Sequence, residues 1–489
     1  MKLKPKSFAI VFVFIFLFVF LRLPSLFEPY WYGDEGIYLV LGQAIRRGYT
    51  LYTQIHDNKP PTLYHFAAIS KTIFGFRLFL LLYMIPTIYF FNKLSKKYLS
   101  KKKSILATLL FLVLSSIPFI EGNIANAEVF MLLPTILAFL IYKPTSLKSL
   151  FFSGLLLGFA FTFKVPVVIE LCTLIFFSLS TFLATFIKKP SLKKIKSAIM
   201  PSATLLLSFF IPILVLGLYY SYKSALSEFL FASLLQNFSY LSSWKTGSHS
   251  SGATQGGVTV RAFLLLIFWI FNLFLYIKKK LKPSSYILIL WFSSTIFGSL
   301  LSTRPYPHYL IQTLPPLCLL AFSLFETKKS FSRVSKSIAI TLIMFLAYVF
   351  KFYNFYTYPV IPYYRSFYQN LKNPSVFQNY FGTHVSQNNK IVDYLSPKLS
   401  SQDKIFVWGD SPYLYTLLDK IPSDRYTVAY HIVDFDGYFD TIIALKKFPP
   451  KFIIYYSMPT RPFEELDDLI SKYYILDNQI DSVSIYKKR

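Results

Sequence analysis

The chain has 489 residues, of which 54% are hydrophobic, 19% aromatic and only 15% charged. Soluble domains average about 25% charged residues, so this composition excludes an ordinary soluble globular protein. The formal net charge is +28, and residues 1–352 carry nearly all of it, with 36 basic and 9 acidic side chains. The basic residues form short clusters between apolar runs, which is typical of cytoplasmic loops rather than of a nucleic-acid-binding surface. We therefore expect no nucleic-acid partner.

The first apolar run, 8–22, follows Lys2, Lys4 and Lys6. No small-x-small cleavage pattern follows this run, so we interpret it as a retained membrane anchor rather than a signal peptide. The later candidate spans are 77–95, 104–120, 128–142, 150–166, 167–187, 198–220, 262–277, 285–302, 309–325 and 337–352. The sequence thus predicts a polytopic α-helical membrane protein with about 11 transmembrane helices.

The stretch 60–75 determines the predicted orientation of the chain. If it does not span, the 21 Lys and Arg residues of the five later clusters lie on the same side as the N-terminus. If it does span, all of them move outside, against the positive-inside tendency. We therefore expect 60–75 to form a juxtamembrane helix along the outer surface of the plasma (inner) membrane. The N-terminus is then cytoplasmic, and everything after residue 353 is extracytoplasmic.

The first outer loop, 24–76, contains a second predicted helix. Ile37, Leu41 and Ile45 share one helical face of 34–48, and Gly48 ends the pattern. Such a segment suits an amphipathic helix lying on the membrane interface.

The region 353–489 differs in composition from the rest, with 15 basic and 14 acidic residues and no apolar run of membrane length. A polar, Tyr- and Asn-rich connector over 353–390 is followed by strand patterns at 404–409, 451–456 and 482–487 and a helix pattern at 462–473. We predict two domains, a transmembrane module over 1–352 and a small extracytoplasmic α/β domain over 353–489.

Charged residues gather in the first outer loop and at the outer ends of the predicted spans. Isolated charges at this depth of a bilayer are costly, so their convergence indicates a functional site. Cations suit an anionic phosphate at the lipid–water boundary, and a carboxylate suits proton abstraction from an alcohol or amine. The candidate residues are Asp34, Glu35, Asp57, Lys59, Arg77, Glu128, Lys164, Arg304, His308 and Tyr309.

The order of residues in this loop resembles the GT-C superfamily. An acidic pair follows the first span, and the predicted helix ends in Gly48-Tyr49. Lys59-Pro60-Pro61, Phe74-Gly75 and Arg77 come next. The pattern is similar to the branch of protein O-mannosyltransferases and of aminoarabinose transferases that modify lipid A, over roughly residues 8–330. One departure is Asn58, where the aminoarabinose branch typically has Glu.

The resemblance implies an inverting glycosyltransferase of the cell envelope. Its donor would be a polyprenyl- or dolichyl-phosphate-linked sugar, and its acceptor a protein, lipid or glycan on the non-cytoplasmic face. Asp34 would be the catalytic base, with Glu35 assisting it or anchoring the loop. Lys59 would contact the donor phosphate, and the further candidate contacts to the substrate are Asp57, Arg77, Glu128, Lys164, Arg304, His308 and Tyr309. No cofactor is implied beyond the lipid-linked donor. His56, Asp57 and His65 lack a spacing typical of a metal site, and a divalent ion is left open.

Two other functions compete with this interpretation. A transporter or flippase of lipid-linked saccharides would place polar residues along a path through many spans, whereas most spans here are nearly uncharged. A non-enzymatic membrane scaffold would present 353–489 but would leave the charged first loop unexplained.

Overall fold

The structure, a computed structural model, describes residues 5–187, 192–237, 255–301, 304, 306–323 and 359–489. The predicted span at 337–352 and the predicted domain boundary at 352–353 lie outside these residues. The chain forms two compact units. The first contains Met1–Leu23, Leu80–Leu216 and Phe238–Val360, and the second contains Pro24–Phe79, Gly217–Asn237 and Ile361–Arg489.

Helices dominate the described part of the chain. In chain order they are α1 (Pro5–Arg22), α2 (Gly33–Arg46), α3 (Thr62–Ser70), α4 (Ile73–Tyr98), α5 (Lys101–Leu114), α6 (Ala127–Phe130), α7 (Leu132–Ile141), α8 (Leu147–Phe161), α9 (Val168–Phe186), α10 (Leu192–Tyr222), α11 (Leu226–Leu230), α12 (Gln255–Ile277), α13 (Pro283–Ser299), α14 (Leu314–Ser323), α15 (Val360–Gln369), α16 (Pro374–Asn379), α17 (Thr383–Leu395), α18 (Tyr413–Leu417), α19 (Ala429–Asp434), α20 (Tyr438–Lys447) and α21 (Glu464–Tyr473).

Four of the described helical segments are long and apolar enough to cross a membrane, judged by length and composition. They are Ile73–Tyr98, Val165–Phe186, Ile199–Tyr222 and Val258–Ile277, and they match four predicted spans. Shorter apolar segments cover Phe12–Phe27, Ala127–Ile141 and Leu147–Phe161. A polytopic helical architecture is therefore confirmed, whereas the number of about 11 spans and the orientation stay predictions.

The apolar surface of α10 fits contact with lipid. Leu207 is 69% exposed and Leu218 is 72% exposed. A long exposed apolar surface is unfavourable in water and costs nothing against hydrocarbon.

On its packed side, α10 approaches α8 closely at two glycines. A Cβ added at Gly154 would lie 2.4 Å from the carbonyl oxygen of Leu205, and one at Gly158 would lie 2.1 Å from that of Phe209. Small residues four apart permit such backbone contact between membrane helices.

In the second unit, α2 is enclosed by protein. The five consecutive residues 37–41 are fully buried. Because successive helical residues are about 100° apart, burial of five in a row covers every side of the helix. The predicted helix is therefore confirmed, but it does not have the exposed face expected of a helix lying on the interface. Two helices pack against α2: α3 contacts it at Gly42, and Tyr413 of α18 contacts it at Gly36.

Residues 405–488 of the second unit contain a four-stranded sheet in the order β1 (Ile405–Trp408), β2 (Phe452–Tyr456), β4 (Val483–Lys488) and β3 (Tyr474–Ile480). β1 and β2 are parallel, and the other pairs are antiparallel. The strands predicted at 404–409, 451–456 and 482–487 and the helix predicted at 462–473 are confirmed. The edge strand β3 was not predicted, because its apolar and polar residues do not alternate: Tyr474, Ile475 and Leu476 are consecutive, and three polar residues follow them.

The connector predicted over 353–390 is helical in its described part, where α15, α16 and most of α17 lie. The sheet is covered on both faces. Phe406, Trp408 and Ile453 belong to one apolar cluster. Ile405, Val407 and Ile454 belong to the other, which also includes Val40 of α2. The core of the sheet is thus shared with α2, which belongs to residues 24–76.

Candidate functional site

Lys59 lies between two carboxylates in the second unit. Its Nζ is 3.7 Å from Oδ2 of Asp34 and 3.7 Å from Oδ2 of Asp57. The ammonium also lies 5.1 Å from the ring centroid of Tyr38, whose hydroxyl donates to Oδ2 of Asp34 at 3.1 Å. Asp34 and Lys59 are 23% and 19% exposed, so a ligand can reach both, whereas Asp57 is fully buried.

The backbone of the Lys59 loop is held on both sides by tyrosines. The hydroxyl of Tyr52 donates to the carbonyl oxygen of Lys59 at 2.9 Å, and the amide of Lys59 donates to the hydroxyl of Tyr64 at 3.2 Å. Pro60 and Pro61 follow directly and restrict the backbone, so α3 begins at Thr62 immediately after a stiff turn. The Lys59 side chain is therefore presented from a rigid loop.

Asp57 is ionised despite its burial. Burial alone would raise the pKa of its carboxyl and is the largest single effect. The charge of Lys59, the electrostatic effect of His431 and a hydrogen bond from Tyr64 act together in the opposite direction, so the pKa of Asp57 lies below its usual value. The hydroxyl of Tyr64 donates to Oδ2 at 2.8 Å, and the amide of Asn58 donates to Oδ1 at 2.7 Å. The result is a fixed negative charge behind Lys59.

Glu35 and Arg77 form a separate buried ion pair. Nε and Nη2 of Arg77 contact the two oxygens of Glu35 at 3.0 and 2.5 Å, and Nη1 lies 3.1 Å from Oε2 of Glu28. All three side chains are at most 1% exposed. Glu28 also accepts hydrogen bonds from Trp31 and Tyr363. Burial raises the pKa of Glu28, although Arg77 acts against it. Glu35 and Arg77 therefore anchor the start of α2 to the start of α4.

The first unit contains its own charged cluster. Glu128, in α6, pairs with Lys164, whose Nζ lies 4.3 Å from the ring centroid of Tyr309. His308 contacts Glu121 through Nδ1, and its Nε2 lies 3.8 Å from Oε1 of Glu128. These contacts bring together four predicted residues, which are Glu128, Lys164, His308 and Tyr309. Glu121 joins them through His308. Its backbone is left-handed, with φ 60°.

Arg304 is the remaining predicted residue. It is buried, 5% exposed, three residues before the short 3-10 helix Pro307–Thr313 that contains His308 and Tyr309. The ten predicted residues thus fall into an Asp34–Lys59–Asp57 cluster, a Glu35–Arg77 pair and a Glu128–Lys164–His308–Tyr309 cluster, with Arg304 next to the last in sequence. Their roles in binding and catalysis stay predictions.

Near Lys59 lie one histidine that the sequence does not indicate, His431, and one contact of His56 that it does not indicate. His431, in α19, places Nε2 3.6 Å from Oδ1 of Asp57, and it is 374 positions away in the chain. His56 contacts Oε1 of Gln236 at 3.0 Å. A sequence pattern indicates neighbours on one helix or strand, so contacts over such separations have no local signal. Tyr64 does have a local signal, because it lies on the first turn of α3, only five residues after Lys59.

Among the described residues, no three His, Cys, Asp or Glu side chains are grouped so that they could hold a metal ion.

No family model matches the chain, and no curated protein matches it. Solved structures do. ArnT from Cupriavidus metallidurans bound to undecaprenyl phosphate is similar over 99% of this chain and 98% of that chain, with a TM-score of 0.56 and 11% identity. ArnT from the same organism in the apo state gives a TM-score of 0.55 and 12% identity over 98% of both chains. The chain therefore shares the fold of ArnT along nearly its whole length.

Proposed function

We propose that the protein is an inverting glycosyltransferase that moves a sugar from a polyprenyl-phosphate donor to an acceptor on the non-cytoplasmic face of the membrane. The observation that carries this proposal is the reachable Asp34–Lys59 pair, on a fold similar to that of ArnT, which binds undecaprenyl phosphate in its own structure. A base beside a cation is what the reaction needs, since a proton leaves the acceptor while negative charge develops on the phosphate.

In the proposed mechanism, Asp34 accepts the proton of the attacking hydroxyl or amine. Lys59 contacts the departing phosphate and stabilises its growing charge. The acceptor attacks the face of the anomeric carbon opposite the phosphate, so a single displacement inverts the configuration. Asp57 keeps Lys59 oriented toward this site, because its buried carboxylate lies 3.7 Å from the ammonium.

We assign Glu35 and Arg77 a structural role in place of catalysis and phosphate binding. Arg77 already has carboxylate partners on two sides, and both side chains are closed to solvent. Lys164, Arg304, His308 and Tyr309 are kept as candidate donor contacts. Glu128 neutralises Lys164, so a phosphate contact by Lys164 involves an exchange of partners.

The test is a transfer assay with the purified full-length protein. It is incubated with a panel of polyprenyl-phosphate sugars and with protein, lipid and glycan acceptors, and release of polyprenyl phosphate is measured. Release that depends on an acceptor supports the proposal. No release from any donor, together with movement of lipid-linked saccharide across vesicle membranes, would favour the flippase instead.

A further inference from the structure

The short helix α19 brings a histidine to the buried side of the Asp34–Lys59–Asp57 cluster. His431 is 4% exposed, and its Nε2 lies 3.6 Å from Oδ1 of Asp57. Its Nδ1 is buried and has no hydrogen-bond partner among the described residues. The ring packs against Phe435 at 5.2 Å. A buried imidazole with only one nitrogen facing a polar partner among the described residues has one favourable orientation.

The carboxyl end of β1 fixes α19 in this position. The amide of Ala429 donates to the carbonyl oxygen of Gly409 at 3.0 Å, and the amide of Tyr430 donates to Oδ1 of Asp410 at 3.2 Å. The other oxygen of Asp410 is paired with Arg461 at 2.6 Å. The sheet therefore supports the histidine through backbone contacts on the two residues that precede it.

Resting on the proposed function, we propose that His431 is a positioning residue for the transfer reaction. It holds Asp57 in the orientation that keeps Lys59 between Asp57 and Asp34. The two oxygens of Asp57 are used differently: Oδ1 faces His431 and the amide of Asn58, while Oδ2 faces Lys59 and the hydroxyl of Tyr64. Without His431, one contact on Oδ1 is lost and the carboxylate can turn away from Lys59.

The charged and titratable groups that act on His431 are Asp57, Lys59, His56 and Asp34. Burial is the largest effect and lowers the pKa of His431 to about 4, although Asp57 opposes this shift. The imidazole is therefore neutral at neutral pH. The nitrogen that faces the carboxylate, Nε2, carries its single proton, which agrees with an Nδ1 that has no partner in the described part of the chain.

The first experiment compares His431→Leu with His431→Gln in the transfer assay. Leu keeps much of the volume but removes the donor, whereas Gln retains an N–H group at similar reach. We expect kcat of the Leu variant to fall ~10-fold, since small misplacements at a reactive site are costly. The acid limb of its kcat/KM profile should also move to higher pH, because the pKa of Asp57 rises when His431 is removed.

The Gln variant should recover most of kcat and the original acid limb. His384→Leu, at an exposed histidine of the same unit, is the matched control and should leave both unchanged. An equal loss in the Leu and Gln variants at every pH, or no loss in the Leu variant, would overturn the positioning role.

A second measurement does not depend on activity. Nitrogen-15 spectra of the full-length protein, labelled at its six histidines, report the protonation of each ring nitrogen, and His431→Gln assigns the signal. We expect the Nε2–H form at pH 7 and a clear change of this signal in Asp57→Asn. If the transfer assay fails with every donor, the proposed function fails, but these spectra still test the contact. An Nδ1–H form, or no response to Asp57→Asn, would overturn it.

Discussion

Asp34 and Glu35 are adjacent in the chain, yet the helix directs them into different surroundings. They lie about 100° apart around the axis of α2. Asp34 meets Lys59 at a partly open surface, and Glu35 meets Arg77 in the interior. The sequence indicates that an acidic pair is present but not which member is enclosed, because the enclosing groups come from α4 and from the segment before α2.

Replacing Glu35 should affect stability rather than chemistry. Glu35→Gln leaves the buried Arg77 with Glu28 as its remaining carboxylate partner. Breaking a buried pair in this way costs about 3–5 kcal/mol. We therefore expect a lower melting temperature of the purified protein, while the folded fraction keeps kcat within about tenfold. Glu464→Gln, at an exposed glutamate, is the control. An inactive Glu35→Gln protein with an unchanged melting temperature would return Glu35 to the catalytic machinery.

The two buried histidines of the cluster predict a loss of stability in acid. Burial is the main cause that lowers the pKa of both His56 and His431, from 6.5 to about 4. The unfolded chain takes up protons as the pH falls below 6.5, whereas the folded chain does so only near pH 4. Each imidazole therefore costs about 2 kcal/mol of unfolding free energy by pH 5.

The measurement is the melting temperature between pH 7 and pH 5. Asp424 acts in the opposite direction, because burial raises its pKa to about 6, so the histidines must be isolated by comparison. The His56→Gln, His431→Gln double variant should lose less stability on acidification than the unaltered protein. The same pH dependence in both proteins would show that these histidines are not buried in the neutral form.

At the scale of elements, the sequence predicted those whose pattern is local. The apolar runs of α4, α9, α10 and α12, the strands β1, β2 and β4, and the amphipathic α21 follow from hydrophobic periodicity. The burial of α2 could not be predicted in this way. One of the two helices that pack against it, α18, lies more than 360 residues later in the chain, so the sequence alone favoured a helix exposed to the membrane interface. The edge strand β3 was not predicted, because its apolar residues do not alternate with polar ones.

The contact of α8 with α10 gives a prediction for packing. Gly158→Ala places a methyl group where it would lie 2.1 Å from the carbonyl oxygen of Phe209, so the helices must separate. We expect a cost of about 1–3 kcal/mol and a lower yield of monodisperse protein in size-exclusion chromatography. Gly217→Ala, also in a helix but with its nearest neighbour at 3.8 Å, should be neutral or stabilising. Equal behaviour of the two variants would contradict the close approach.

At the scale of the whole molecule, one compact unit is assembled from three distant parts of the sequence. Residues 24–79, 217–237 and 361–489 belong together, and the apolar cluster on one face of the sheet includes Val40. The loop that carries Lys59 contacts both of the other parts, because His56 contacts Gln236 and Asp57 faces His431. The sequence predicts Asp34 and Lys59 from one loop, and their direct contacts Tyr38, Asp57 and Tyr64 also belong to that loop. His431 and Gln236, which lie behind these contacts, come from distant parts of the chain and have no local signal.

The most direct test of the account is the transfer assay with Asp34→Asn. Asn keeps the shape of the side chain but cannot accept the acceptor's proton at neutral pH. We expect the rate of polyprenyl phosphate release to fall at least about 100-fold, the usual worth of a general base, with an unchanged melting temperature. Asp481→Asn, at an exposed surface pair with Lys390, should retain full activity. Undiminished transfer by a folded Asp34→Asn protein would contradict the assignment of Asp34 as the catalytic base.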